Sequence, residues 1–487
     1  PQVIENLGVT CRVWGYVKYH HPVFADSTLN VDYELFGLLP QVAKATPAKR
    51  NKVLSEWVKG LGRFSTDKAE YDEALKTVKC TRTADLLWMD DTARLGNVLP
   101  RLLRELRYAK REANRYTDFT ANAGNFVMRN ESTAGSSDDC GYRMLFLFRF
   151  WNVIEYFSPN RNLTDTPWDE IPEKYIPLFI PGQTPGNPNQ AMLLRELCDS
   201  HSASVRYNMF GYNTVPAEVR NADDRVFVIA DGPLRKGDEI LSIDGRGWKS
   251  THDGLARFEA ASNAENRNYM TAMCMVCSHR DTAAVELVRD GRRMTERIAT
   301  RSVMNWSPYI TERMLDTANI RLLADGIGYM TGFNYTKADG ARIMEKFRDT
   351  KALIVDLRCY PREFMIFDFI GRYFMPRTSP HVIWLAPTGA LPGVFHELQD
   401  SLFVNPDNPA VAENPDYYKG RVIVLVDSST QSQAEYTAMA FQATPRCTVV
   451  GTQTAGADGN ISALVMPGGD FGYFSGLGVL YPDGTNT

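Results

Sequence analysis

Apolar positions in the first part of the chain recur three and four residues apart, the period of helices with a buried face, whereas beyond about residue 220 they gather into short solid blocks between glycine-rich turns. The densest helical run, MLFLFRFWNVIEYF (Met144 to Phe157), is broken by Arg149 and Glu155 and falls short of the roughly 18 apolar residues that a membrane span needs, so it reads as a buried amphipathic helix. A second helical pattern, rich in arginine, covers Ala93 to Tyr116. Between the two, RNESTAGSSDDCG (Arg129 to Gly141) has the composition of an exposed loop and marks a boundary. RVWGYVKYHHP (Arg12 to Pro22) and RFWNVIEYFSP (Arg149 to Pro159) share Arg, Trp, Tyr and Pro at one offset, 149 − 12 = 137, which also pairs Asp32 with Asp169 and Pro40 with Pro177. An ungapped register of this kind indicates an internal repeat. His20 and His21, at the end of the first copy, read as surface or helix-end residues.

Farther along, VFVIADGPLRKGDEILSIDGRG (Val226 to Gly247) places two β-rich runs around tight turns, and AAVELVRDGRRMTERIAT (Ala283 to Thr300) reads as a hairpin. GIGYMTGFN (Gly326 to Asn334), a helical stretch to Arg348, ALIVDLRCYP (Ala352 to Pro361), another helical run and RVIVLVD (Arg421 to Asp427) alternate in the way of a sheet covered by helices. Ligands in such sheets sit at the carboxyl ends of strands, which is where DSSTQSQAE (Asp427 to Glu435) falls. Ser432 and Glu435 have the spacing of a capping box before a helix that stops short of Pro445. Capping and nucleophilic roles do not exclude one another, because the start of a helix also stabilises negative charge. A serine nucleophile needs a base. No lysine follows Lys419 and no histidine follows His396, so the base must come from upstream; His201, preceded by Ser200, offers an imidazole, and a structural role for it stays open.

The 487 residues are 44% hydrophobic and 23% charged with a net charge of −4, which leaves no basic excess for nucleic acid. Eight cysteines are too few for a disulfide scaffold, and the one close pair, Cys274 and Cys277, reads as buried small hydrophobes. Because the sequence opens on Pro1, an upstream signal peptide or tag is expected, and the β-rich PGGDFGYFSGLGVLYPDG before Thr487 reads as a segment cut off in mid-course.

The phrase GPLRKGDEILSIDG resembles a PDZ domain of processing proteases, a module that captures an extended peptide as an added strand. With GIGYMTGF, ALIVDLR, VIVLVDSSTQSQAE and CTVVGTQTAGADG following in order, the stretch from about residue 190 to 487 is similar to peptidase family S41, which includes carboxyl-terminal processing proteases and the tricorn core protease. The resemblance implies a multidomain α+β protein: a helical region at 1–135, the second repeat copy with a pre-PDZ segment at 136–215, a PDZ-like domain at 216–302, and a ClpP/crotonase-like α/β core at 303–487. It makes Ser432 the nucleophile. Ala457 stands where processing proteases carry their lysine, so the implied arrangement is the tricorn-like one, with His201 as base, Ser200 as its orienting partner, and a glutamate beyond Thr487 as fourth member. The oxyanion hole implied by the family combines the Gln433 amide with one from a Gly-Gly pair, replaced here by Arg362 or Glu363 in DLRCYPREF; Pro361 has no N–H to offer. The expected function is a serine-type endopeptidase acting on peptides or unfolded protein, exported to the periplasm or cell envelope, with no metal or organic cofactor. The alternative is a catalytically silent peptide-binding protein working through its PDZ region.

Overall fold

The computed structural model describes residues 1–25, 29–80, 82–111, 113–136, 138–181, 188–202, 209–303 and 320–487. The end of the stretch following His201 and the start of the 303–487 core, at 304–319, lie outside the described residues. The chain forms two compact units, one from Pro1–Leu197, Trp384–Leu398 and Asn460–Val479, the other from Cys198–Ile383, Gln399–Gly459 and Leu480–Thr487. No described helix is long and apolar enough to cross a membrane.

The first unit is built on helices α1 (Gln2–His20), α2 (Val31–Val42), α3 (Pro47–Gly60), α4 (Val98–Arg107), α5 (Cys140–Phe157) and α6 (Ile171–Phe179). Local chemistry sets their starts: Asn30, Thr46 and Asp139 each accept a backbone N–H at an N-cap, and Pro47 occupies the first position of α3, where its missing N–H costs nothing. Helices α1 and α5 are buried on all faces over most of their length, Asn6 to His20 and Arg143 to Phe157. The same contact recurs at the offset of 137: Trp14 Nε1 donates to Val31 O at 2.9 Å, and Trp151 Nε1 to Trp168 O at 2.7 Å. Arg12 bonds Glu173 and the Asp169 carbonyl, while Arg149 reaches back to Asp32 at 2.7 Å. Gly15 lies against Asn152, and a Cβ there would fall 1.8 Å from the Asn152 side chain, so only glycine permits this approach.

Two expectations need correction in this unit. His20 closes α1 and His21 is its C-cap, helix-end positions as expected, but at 4% and 2% exposed they are not surface groups; His20 stacks on Tyr16 at 3.9 Å. The pattern over Ala93 to Tyr116 is not one helix: Gly96, at φ +70°, ends a short turn, and α4 stops at Arg107. An antiparallel hairpin, Ile461–Met466 with Gly469–Ser475, completes the unit, tied in by Asn125 Nδ2 donating to Ile461 O at 2.8 Å.

The second unit contains an antiparallel sheet of β1 (Val219–Ala222), β2 (Arg225–Val228), β3 (Glu239–Ile243), β4 (Thr282–Arg289) and β5 (Arg292–Ala299), in that order, with α7 (Ala264–Met275) packed beside β1. The tip of the β4–β5 hairpin places Asp290 and Gly291 at positive φ, as a two-residue turn requires. A second sheet of five strands runs from a short antiparallel edge strand at Arg321–Leu322 through β6 (Ile327–Thr331), β7 (Ala352–Asp356), β8 (Arg421–Val426) and β9 (Cys447–Gly451), these four parallel. Helices α8 (Gly340–Phe347) and α9 (Gln433–Gln442) supply the crossovers that parallel pairing demands. The helical run expected between Pro361 and Arg421 is only a short turn at Ile366–Gly371 with Arg372–Phe374; strands Ser379–Pro387 and Phe395–Leu402 follow, where solid apolar blocks do not by themselves distinguish strand from helix.

Candidate active site

Strand β8 ends at Val426, and the five residues from Asp427 to Gln431 turn the chain into α9. Thr430 fixes this turn: its hydroxyl accepts the Asp427 N–H at 3.0 Å and donates to Leu357 O, just past β7, at 2.9 Å. From β1, Arg220 Nε reaches Asp427 Oδ2 at 3.2 Å and Arg220 Nη2 reaches Ser429 Oγ at 3.2 Å. Ser432 follows at φ 56°, ψ −123°, a backbone state that disfavours a residue with a Cβ and that costs on the order of 1–3 kcal/mol where the surroundings enforce it.

The enforcement is visible in its hydrogen bonds. The Ser432 N–H donates to Ala457 O at 2.8 Å and to Glu435 Oε2 at 3.1 Å. Glu435 also takes the Gly456 N–H at 2.6 Å and the Ala457 N–H at 3.0 Å, so one buried carboxylate holds the serine turn against the TAGADG loop. Ser432 and Glu435 face each other as a capping box; its carboxylate half is a formed hydrogen bond, and its hydroxyl half is an approach that does not close as a side-chain cap. Burial pushes the Glu435 carboxyl upward, against a hydrogen bond from the Thr454 side chain and these amide bonds. Next to it, burial and then the charge of Glu435 push the half-buried Asp458 up to about 7, with a hydrogen bond from Thr487 opposing.

The segment carrying His201 meets this corner. Gln431 Nε2 donates to Ser200 O at 3.1 Å, and the Ser200 hydroxyl donates to Ala455 O at 2.7 Å while accepting the Ser262 N–H at 2.9 Å. The Ser200 hydroxyl expected to orient the imidazole is thus committed to anchoring the loop. The carboxylate beside His201 is Asp199, whose Oδ1 accepts the His201 N–H at 2.9 Å and stands 3.7 Å from Nδ1. The imidazole itself is 8% exposed.

The expected oxyanion donors are distributed unequally. Gln433 opens α9, so its amide belongs to the first turn, where intrahelical acceptors are lacking. Arg362 and Glu363 are exposed and engaged elsewhere: the Arg362 N–H points to Gly332 O at 3.4 Å, and Glu363 Oε2 accepts the Lys337 N–H at 2.6 Å. Among the described residues no hydrogen bond ties either to Ser432; the loop touches α9 through Phe364, stacked 5.8 Å from Tyr436. Tyr436 also meets His381 Nε2 at 3.1 Å, and burial lowers that imidazole to about 4, which makes it a neutral packing partner.

The residues missed by sequence reasoning are Asp199 and Asp458. Both are adjacent in sequence to residues that were singled out, yet neither spacing nor residue type distinguished them from surface carboxylates.

Residues 396–487 match the model of Peptidase family S41. No curated protein sequence matches the chain. Among solved structures, mature CPAF complexed with lactacystin and mature CPAF alone are each 13% identical at a TM-score of 0.50, covering 71% of this chain and 91% and 90% of theirs. The photosystem II D1 C-terminal processing protease is 16% identical over 71% of this chain and 90% of its own, at a TM-score of 0.39. At these identities the CPAF likeness is one of fold. The stretch at residues 396–487 is thus similar to peptidase family S41.

Proposed function

We propose that the protein is a serine peptidase in which Ser432 attacks a peptide carbonyl and His201 takes the proton, returning it to the leaving amine. The observation that carries this reading is the strained backbone of Ser432 at a strand-to-helix corner, held by Ala457 O and the Glu435 carboxylate. Strain of this kind persists at functional sites because neighbours over-determine it, and a helix cap alone does not call for it. Asp199 orients the imidazole and steadies its charged form, and Ser200 acts indirectly, through the backbone it anchors to Ala455 and Ser262. The Gln433 amide and the start of α9 receive the oxyanion. A second amide from the Arg362–Glu363 segment requires that loop to exchange the Gly332 bond for substrate, and its length of 3.4 Å makes the exchange cheap.

The antiparallel sheet at 216–302, with β1 at its edge beside α7, supports reading this region as PDZ-like and adding an extended substrate strand there. The boundaries at 135, 215 and 302 are proposed on the same grounds, and the recurrence of the tryptophan hydrogen bond at 137 residues supports a duplicated helical region. Substrates are peptides or unfolded protein, and an exported location is part of the same reading.

The test is labelling by a fluorophosphonate, with the adduct mapped by mass spectrometry. An adduct on Ser432 that is lost in His201→Ala sustains the peptidase. A folded chain that binds peptide yet takes no label supports the second reading, a silent binding protein, which the engagement of Arg362 and Glu363 favours.

A further inference from the structure

A groove of about 600 Å³ opens in the first unit between α1, α2 and the start of α5. Its floor is apolar, with Leu7, Leu39 and Met144 among the lining residues, and Phe36 and Tyr142 form one wall in an edge-to-face pair at 4.9 Å. The lining follows the repeat: Val3 and Cys140, Leu7 and Met144, and Ala43 and Ile180 each stand 137 residues apart, so matched positions of the two copies face the same space. Where two copies of one hairpin meet, small residues at matched positions leave the centre unfilled. Cys140, matched to Val3, does so here with Gly141 beside it, and the aromatic pair rims the gap. Tyr33, also lining the groove, is 68% exposed.

We propose that this groove binds a fatty acid, its alkyl chain on the apolar floor and its carboxylate at Lys44. The volume lies within the roughly 300–1,000 Å³ of small-molecule pockets. The walls are mainly helices whose backbone groups are already paired, so an extended peptide would bury amides without partners, whereas a hydrocarbon chain has none to satisfy. The rim selects the head group. Lys44 is exposed and makes no ion pair or hydrogen bond among the described residues. The one acidic lining residue, Asp139, is engaged as the cap of α5, accepting the Tyr142 N–H at 3.1 Å.

Cys140 gives the readout, since it lines the groove and is the one exposed cysteine of the eight. Alkylation by N-ethylmaleimide, followed residue by residue with mass spectrometry in the full chain, is expected to slow at Cys140 and not at Cys80 or Cys447 when laurate is added below its micelle concentration. Dodecyltrimethylammonium, with the same chain and the opposite charge, is expected to protect less. Lys44→Glu is expected to weaken laurate about fivefold, the scale of one exposed ion pair, and to reverse the preference. Ala43→Trp, checked for folding by circular dichroism, fills the groove and is expected to abolish protection. Should Ala43→Trp fail to fold, the surface change Lys44→Glu carries the test. Absence of protection by laurate overturns the proposal, as does equal protection by both amphiphiles with no effect of Lys44→Glu. Protection by an amphipathic helical peptide where laurate gives none overturns it as well and assigns the groove to protein.

Discussion

Lys18 in the helical unit and Glu435 beside Ser432 are both buried charged groups, and they are compensated in opposite ways. Lys18 Nζ meets Glu131 at 2.5 Å, Glu131 meets Arg149 at 3.1 Å, and Arg149 meets Asp32 at 2.7 Å, every member no more than 5% exposed. Each charge there has a partner of opposite sign, although burial still lowers the Lys18 ammonium from its usual range. Around Glu435 the hydrogen-bond partners are the Thr454 side chain and the backbone amides of Ser432, Gly456 and Ala457, and the neighbouring ionisable group is another carboxylate, Asp458. Opposite charges in fixed geometry lock a fold by pairing. The amides around Glu435 fix backbone just as firmly and favour its charged form, while burial works against them and pushes both carboxyls upward.

The largest expected effect belongs to the second cluster. If Ser432 is the nucleophile, Ser432→Ala lowers turnover by about 10⁶-fold, the scale of removing a catalytic serine; peptide hydrolysis that survives the change excludes it. Next comes the ion network: Lys18→Met strands Glu131 against one remaining cation and is expected to cost about 3–5 kcal/mol in urea unfolding, and a loss below 1 kcal/mol would remove the contrast between the clusters. Glu435→Gln keeps the shape but turns an NH₂ toward amides that need an acceptor, for about 1–3 kcal/mol. Labelling of Ser432 should slow between tenfold and about a hundredfold with it, as small misplacements do. A smaller effect separates Ser432→Gly from Ser432→Ala: glycine tolerates φ 56° and should be the more stable by about 1 kcal/mol in thermal unfolding, while equal midpoints would mean the corner is unstrained.

Asp458 sharpens the comparison through pH. Its carboxyl titrates near 7 in the folded chain and near 3.8 when unfolded, so between these values the folded state keeps a proton that the unfolded state has lost. Stability from this group is full below about pH 4 and declines as pH rises to about 7. His21 and His381, both lowered to about 4 by burial, act in the opposite sense, their contribution falling away as pH drops from about 6.5 to 4. Asp458→Asn is therefore expected to be more stable relative to wild type at pH 7.5 than at pH 4.5, by on the order of 2 kcal/mol or less. A difference independent of pH contradicts the assignment.

The strand, turn and helix around Ser432 were legible because an apolar block, a hydroxyl cluster and a capping spacing follow one another without interruption. The parallel strands at Ile327, Ala352 and Arg421 were legible as solid apolar runs. Sequence did not disclose the clamp from Glu435 to Gly456 and Ala457, which spans 21 and 22 residues and exists only once α9 and β9 are in place. Nor did it reveal that the Ser200 hydroxyl would go to Ala455, a partner 255 residues away, leaving Asp199 beside the imidazole. His20 and His21 misled for a related reason: a polar residue at a helix end looks exposed until the elements that cover it are known.

The makeup of the helical unit has a consequence for synthesis. Its segments end at Leu197, Leu398 and Val479, and its closing hairpin at 461–475 receives the Asn125 side chain. A ribosome that has released residue 197 has made the helices but not the strands that finish their core. The first unit to emerge is thus among the last to be completed, and its unfinished apolar surface must wait, uncovered, through the translation of nearly 300 further residues.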